Sequence, residues 1–588
     1  MLDNTIAASA ENNNDFFKNK VLGHPAGLFV LFFTEMWERF SYYGMRALLV
    51  LFLISSLEKG GWAWPEENAL ALYGTYTSLV YLTTIMGGYL ADKYLGYRWA
   101  VVIGACLMTL GHASMAVETP TFLYIGIGLL IFGNGFFKPN MTSIVSHMYK
   151  DHPEKKDGAY TIFYMGVNAG AFLGIMLCGY IGEKVSWSWG FGLAGIFMFF
   201  GMLQFYFTQK IFGDIGTKPT AAENLAKENL NDGDKRVPFS TLDIILMIGS
   251  LFLGLLWILN DPYSKISGNN LLDFTVAGLA GKNFTILLGL ALFLILLIGR
   301  ITRYSKVTRE RLIAVTIFAF FTVFFWASFE QAGGSMTIFA QKYTQRAFTG
   351  TAANIYKIVN TLLTVVPLGI ITFVLWKLFT QTFKKYAIGN IILATSFVVI
   401  WGVVIWMLNR EYNAETTEIA ASWFGILNSF FIIAFAPLVS KVWESKYNPP
   451  AAFKYGIGMT LLGLGFASLA YGASSIVAGD ENIKVSMLWL VLAYLFHTLG
   501  ELCLSPVGLS YVSKLVPARM IGVMFGIWYL AIAIGNKTAG AMGGMINEIT
   551  AKYSLSTFFL IFTLVPIGIA LLAMLLHPLL KKLMHGVR

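Results

Sequence analysis

Charge is scarce in this chain. Asp, Glu, Lys and Arg make up 13% of its 588 residues, about half the ~25% of an ordinary soluble domain, while 56% are hydrophobic and the mean hydropathy is +0.64. That balance excludes a set of water-soluble domains, and the solvent for most of the chain is lipid. Cysteine is scarcer still: Cys106, Cys178 and Cys503 sit in apolar runs at unrelated spacings, which supports neither a disulfide framework nor a zinc ligand set. No HExxH, GxSxG or Cys/His metal set stands in a plausible context, which disfavours a polytopic membrane enzyme and leaves no metal or organic cofactor to expect. The opening MLDNTIAASAENNNDFFKNK is polar. It lacks the apolar core and small-residue cleavage site of a signal peptide, and reads as part of a solvated cytoplasmic tail over 1–26.

What the chain has is long apolar runs. A hydrocarbon core about 30 Å thick takes about 20 apolar residues of helix. Sixteen such runs lie near 27–53, 70–91, 99–117, 121–146, 158–182, 189–209, 241–260, 283–299, 312–336, 358–376, 387–408, 421–440, 455–473, 485–512, 520–546 and 555–580. The distribution of cations supports this count. Of the 42 Lys and Arg residues, 28 fall in the tail and alternate loops on one side, 10 on the other, and Arg39, Arg46, Lys138 and Lys537 lie within spans. Under the positive-inside rule this places both termini in the cytoplasm. It also accounts for the net charge of +10 without nucleic acid as a partner.

Long polar connections around 210–240 and 300–311 bracket the hydrophobic pair 241–299, and a second extra pair occupies 358–408. The expected architecture is all-α: an N-terminal six-helix bundle over 27–212, linkers with an inserted hairpin over 213–310, and a C-terminal six-helix bundle over 311–588 with a second inserted hairpin. Without the hairpins twelve helices remain, as in a carrier built from two bundles.

The first span, LFVLFFTEMWERFSYYGMRALLVLFLI, holds Glu35, Glu38, Arg39 and Arg46. Unpaired at mid-membrane, four charges would cost roughly 10 to 14 kcal/mol. At about 100° per residue, these four and Tyr42 fall within an arc of roughly 100°, so one stripe is polar and the rest is packing or lipid-facing surface. Such a stripe is consistent with a structural ion-pair network. Isolated charges in other spans point instead to a shared aqueous cavity: Lys138 in GNGFFKPN, Glu330 in FWASFEQAGGS and Glu501 in FHTLGELCLSP. Pro139 and Pro506 stand near two of them, where helix carbonyls lose their donors. Tyr42, Tyr43, Tyr81, Tyr164, Trp326 and Trp528 lie within spans, where they pack or wall a pocket. His112 and His497 are candidate proton relays or packing residues. Lys537 either snorkels outward or fills a cavity position.

These residues together resemble the proton-coupled oligopeptide transporters, a branch of the major facilitator superfamily. GHPAGLFVLFFTEMWERFSYYGMRALL carries the ExxERFxYY signature, and the similarity continues through GGYLADKYLGYR, GNGFFKPN, GAYTIFYMGVNAGAFLG, FWASFEQ, GELCLSPVGLSYVSKLVP and GVMFGIWYLAIAIGN. The resemblance implies a monomeric carrier in the bacterial inner membrane that imports di- and tripeptides, and peptide-like drugs, by alternating access, with the proton as coupling ion. It implies proton-coupling roles for Glu35, Glu38, Arg39 and Glu330. It also implies a peptide site lined by Tyr42, Tyr43, Arg46, Tyr81, Lys138 and Asn168 on the N-terminal side, and by Trp326, Glu330, Asn428, Glu501, Ser505 and Trp528 on the C-terminal side. Nitrate or drug transport on the same scaffold is the alternative. The hairpin at 358–408 departs from the family plan; it holds Asn360, Thr361 and Thr364 but no central charge, so peripheral packing is expected of it.

Overall fold

A computed structural model describes residues 20–220, 237–414, 416–477, 480, 482–517 and 520–587. Most of the tail expected over 1–26, and positions 221–236 of the connection expected at 210–240, lie outside the described residues.

Backbone amides in hydrocarbon must bond within their own segment, which forces apolar runs into helices. Among the described residues there are sixteen helices of 19 residues or more. The first six are α1 (Ala26–Ile54), α2 (Glu66–Leu90), α3 (Tyr97–Met115), α4 (Pro120–Met148), α5 (Pro153–Lys184) and α6 (Trp187–Thr208). A hairpin follows, α7 (Thr241–Ser267) and α8 (Gly281–Ile301), then α9 (Lys306–Phe329). A second hairpin, α10 (Gly350–Thr382) and α11 (Ala387–Asn413), precedes α12 (Ile426–Glu444), α13 (Ala451–Gly472), α14 (Leu488–Leu515), α15 (Ile521–Gly543) and α16 (Leu555–Leu575). Twelve helical stretches among the described residues are long and apolar enough to cross a membrane.

Of the boundaries that differ from the sequence expectation, two bear on the interior and on the second hairpin. The run expected over 312–336 is interrupted after Phe329 by a tight turn, Glu330–Gly333, before a short helix, Ser335–Lys342; a charge followed by Gly333 and Gly334 ends the regular helix there. Helix α10 begins at Gly350, well before the expected 358. Its first turns are polar and lie below the hydropathy signal, and Lys357 in them donates to the carbonyls of Tyr412 (3.2 Å) and Ala414 (3.3 Å).

The helices pack as two groups. In the first, α1 lies against α5 and α6, α3 against α4 and α6, and α2 against α4; in the second, α13 lies against α14 and α16, α12 against α14, and α9 against α14 and α15. The groups meet along two seams, α2 with α15 and α5 with α12. Hairpin α7–α8 rests on α2, and α11 rests on α6. The second hairpin, although it is inserted in the C-terminal half of the sequence, therefore packs on the N-terminal group. Phe397 of α11 meets Phe33 and Trp37 of α1 with centroids 5.7 and 5.6 Å apart. With α5, α6 and α11 around it, α1 buries 25 of its 29 residues. The surface of α1 beyond its polar stripe is thus packed against protein rather than lipid.

Small residues set the closest approaches, as expected where lipid supplies no hydrophobic drive between helices. A Cβ at Gly170 of α5 would stand 2.1 Å from the carbonyl oxygen of Met36, and one at Gly174 would stand 2.2 Å from that of Phe40. At the α2–α4 contact, a Cβ at Gly87 would lie 2.0 Å from the carbonyl oxygen of Gly135, the group for which Pro139 has no N–H to offer. Gly170→Leu is expected to push α1 off α5 at a cost of at least ~1–3 kcal/mol. The check is thermal unfolding in detergent: a melting temperature equal to that of the parent would show that the helices do not pack this closely.

Candidate functional site

The polar stripe of α1 ends up inside the protein, where its charges find partners. Arg39 Nε lies 2.9 Å from Glu35 Oε1 and 2.7 Å from Glu38 Oε2, and the guanidinium stands over the ring of Tyr42 at 5.6 Å. Two carboxylates thus share one guanidinium. Glu38 Oε1 is buried with no hydrogen-bond partner among the described residues, an arrangement that is costly for an ionised group. Lys138 of α4, with its ammonium 4.0 Å above the ring of Tyr81, is near enough to Glu35 and Glu38 to act on them electrostatically.

Two turns further along α1, Arg46 crosses from one group of helices to the other. Its Nη2 meets Glu330 Oε2 at 2.5 Å, and its Nε donates to Tyr73 Oη at 2.7 Å. The Tyr73 hydroxyl donates in turn to Glu330 Oε2 at 3.2 Å. The Arg46 guanidinium also faces the rings of Tyr43 (5.7 Å) and Tyr73 (5.8 Å). Across the space, Asn428 Nδ2 donates to Glu501 Oε2 (3.0 Å) and to Thr498 Oγ1 (3.1 Å). Arg46, Glu330, Asn428 and Glu501 line one cavity, together with Tyr43, Tyr81 and Trp326. Trp326 and Tyr529 flank Tyr81 with centroid separations of 6.4 and 6.3 Å, and Tyr81 and Trp326 give the cavity aromatic surface.

The other expected residues surround this cavity without lining it. Tyr42 is buried against Tyr43 (5.1 Å). Asn168 is buried and donates to the carbonyl of Tyr164 at 2.9 Å. Ser505 Oγ is buried with no hydrogen-bond partner among the described residues, and Trp528 is buried against Gly508, where a Cβ would meet its ring at 2.2 Å. Tyr164 is 46% exposed. His497 lines the cavity, with its ring 4.4 Å from that of Phe466, whereas His112 is buried beside Gly195 at the α3–α6 contact. Tyr73 and Tyr494 are cavity-side groups absent from the sequence expectation, and Tyr494 donates to the carbonyl of Ala332 at 3.3 Å. The available signal for Tyr73 was its position eight residues before Tyr81, which puts both on one broad face of α2.

At one end, further polar contacts join the two groups. Lys342 Nζ meets Glu66 Oε1 (2.7 Å), Gln341 Nε2 donates to Ser55 Oγ (3.3 Å), and the Glu183 carboxylate accepts from the backbone N–H of Ala421 (2.8 Å) and of Ser422 (2.9 Å). All lie where α1 and α5 end and α2 begins. Chemically, the cavity offers a cation, Arg46, two anions, Glu330 and Glu501, and aromatic surface from Tyr43, Tyr81 and Trp326. Such a site suits a small molecule that carries both charges and variable apolar parts.

A model of the POT family matches residues 98–408 and 400–561. The chain is 30% identical over 543 residues to the peptide transporter YePEPT of Yersinia enterocolitica, covering 89% of this chain and 88% of that protein. It is 28% identical to a di-/tripeptide transporter of Lactococcus lactis, covering 96% of this chain and 98% of the relative. Among solved structures, a peptide transporter POT in complex with sulfate superposes with a TM-score of 0.70 at 28% identity, over 98% of this chain and 99% of the other.

Tyr73→Phe removes the hydroxyl that holds both partners of the cross-bundle ion pair and leaves one buried N–H of Arg46 without its acceptor. A loss of ~1–2 kcal/mol in stability is expected, read as a lower melting temperature. An unchanged melting temperature would show that the hydroxyl does not engage the pair.

Proposed function

The chain belongs to the POT family, and from that premise we propose that it is a proton-driven symporter that imports di- and tripeptides by alternating access. The observation that carries this reading is the Arg46–Glu330 pair, which joins the two bundles at the wall of the cavity that Glu501 and Asn428 also line. All sixteen long helices span the inner membrane of a bacterial cell in this reading, with both termini in the cytoplasm. Helices α1, α2 and α15, which are outside the twelve, are in this view those that hold functional charge or line the α2–α15 seam. The division into a tail (1–26), an N-terminal bundle (27–212), linkers with a hairpin (213–310) and a C-terminal bundle with a second hairpin (311–588) follows from the same reading. The carrier works as a monomer surrounded by lipid.

A short peptide has fixed charged ends and variable side chains, so a carrier that accepts many sequences should hold the ends by charge. Arg46 and Lys138 take the carboxylate, Glu501 takes the ammonium, and Asn168 and Asn428 bond either end or the peptide link. Tyr43, Tyr81 and Trp326 accommodate side chains through apolar area, and Tyr42, Trp528 and Ser505 back them from the layer behind, where they meet the substrate as the cavity widens. The proton acts through charge balance. Protonated Glu330 no longer holds Arg46 as an ion pair, which loosens the bundles on the outer side and frees the guanidinium for the peptide. Loss of that proton to the cytoplasm restores the pair and closes the outer side behind the substrate. Glu35 and Glu38 share Arg39 and the nearby Lys138, so once Lys138 turns to the peptide carboxylate the cluster can take up a proton without leaving an unmatched charge.

Uptake of a labelled dipeptide into proteoliposomes, with and without an inward proton gradient, tests the reading, with free amino acids and nitrate as competitors. Gradient-dependent entry blocked by unlabelled dipeptides is expected; entry indifferent to the gradient, or competition by nitrate alone, would overturn it. Glu330→Gln is expected to abolish gradient-driven accumulation while keeping peptide counterflow, since a neutral amide can neither release a proton nor restore the pair. Accumulation at the parent level in that variant would remove Glu330 from the coupling path.

A further inference from the structure

Among the described residues a second ion pair accompanies Arg46–Glu330 on the α2–α15 side of the cavity. Lys537 in α15 is 1% exposed. Its ammonium donates to Thr75 Oγ1 of α2 at 2.8 Å and bonds Asp261 Oδ2 of α7. The same Asp261 holds Lys265 through its other oxygen at 3.2 Å, and Lys265 reaches Glu67 near the start of α2 at 3.1 Å. Thr75 donates to the carbonyl of Ile258 at 3.3 Å, so α2 is tied to the inserted hairpin at two levels. A buried charge from the C-terminal bundle therefore finds its counter-ion on neither bundle but on the hairpin, and the hairpin is fastened to the N-terminal bundle.

The seam around this network consists of close backbone contacts. A Cβ at Gly74 would stand 2.7 Å from Gly540 Cα, and Asn536 Nδ2 donates to the carbonyl of Thr77 at 3.2 Å. Thr75 is two residues from Tyr73, so the Lys537 cluster sits at nearly the same depth as the Arg46–Glu330 pair. Parting α2 from α15 would draw Lys537 away from Thr75, and because Asp261 travels with α2, away from Asp261 as well. An ammonium left unpaired in a closed, dry seam is strongly disfavoured. The pair therefore stabilises the seam only while it is shut.

We propose that hairpin α7–α8 is a working part of the outer closure, in which Asp261 and Lys537 form a second cross-bundle lock that fixes the balance between outward-closed and outward-open states. This rests on the alternating-access reading. The lock takes no part in binding peptide; Asp261 and Lys537 are positioning residues that act through the relative placement of α2 and α15.

Spin labels at Lys59→Cys and Lys552→Cys, two exposed outer positions on opposite bundles, in a Cys106→Ser background, report the opening as a distance distribution in lipid nanodiscs. Asp261→Asn is expected to raise the long-distance population at least about tenfold, within the range usual for coupled conformational equilibria. The swapped pair, Asp261→Lys with Lys537→Asp, is expected to bring the distribution back toward that of the parent. Thr75→Val, which deletes only the neutral partner of Lys537, should shift the population the same way by about threefold and decides the matter if Asp261→Asn fails to fold. A parental distribution in the folded single variants, or a swap that leaves the long-distance population as high as Asp261→Asn does, overturns the lock. Dipeptide counterflow by the unmodified protein separates this from the function itself: without counterflow the transport reading fails, whatever the distances show.

Discussion

An ionised side chain inside a membrane must find a partner, and this chain places the partners on different helices. Where an acid and a base share one helix, as Glu35 and Arg39 do, the pair stabilises that helix and little else. Where they lie on separate bodies, as Arg46 and Glu330 do, the strength of the pair becomes a function of how those bodies are arranged. The scarcity of charge in the sequence matters for this reason. With few ionised groups in the spans, each buried one reports on one or two contacts, and neutralising a single carboxylate can change the relation between the two halves.

The fold was largely legible in the sequence because lipid imposes a length and a composition on any segment that crosses it. Each of the sixteen apolar runs overlaps a helix of 19 residues or more among the described residues, and the misread boundaries have identifiable causes. Hydropathy does not register polar helical turns such as 350–357, and does not mark the break at Glu330, where the apolar run continues after the regular helix has stopped. The charged residues of the cavity were legible for the same reason that they are rare: Arg46, Glu330 and Glu501 stand out against apolar neighbours. The uncharged members were harder to find. Tyr73 is one of several tyrosines on α2, and nothing in its local sequence shows that its hydroxyl lies between Arg46 and Glu330. That contact depends on how α2 and α9 meet, which is a property of tertiary packing rather than of either segment. Residues expected at the site through family resemblance separated into two sets. Arg46, Glu330, Asn428 and Glu501 line the cavity, while Asn168, Ser505 and Trp528 lie behind it.

The two helix pairs α7–α8 and α10–α11 differ in character. Hairpin α7–α8 brings charge, through Asp261 and Lys265, to the α2–α15 seam. Hairpin α10–α11 brings aromatic and apolar surface, and Phe397 fills the space beside Phe33 and Trp37 on the back of α1. Its polar contacts gather at one end, where Glu411 accepts from Tyr180 at 2.8 Å and Arg410 donates to the carbonyl of Lys184 at 2.9 Å. This combination holds the second hairpin to the N-terminal group as a fixed buttress and covers the back of the helix that carries Glu35, Glu38, Arg39 and Arg46.

The touching backbones of Gly74 and Gly540 have a kinetic consequence. Because no side chains interlock at that point, the two surfaces can part and rejoin without any rotamer having to clear a neighbour, so the contact behaves as a smooth bearing. What resists the parting is then the polar groups beside it, Asn536 on the Thr77 carbonyl and Lys537 on Thr75, which must exchange partners.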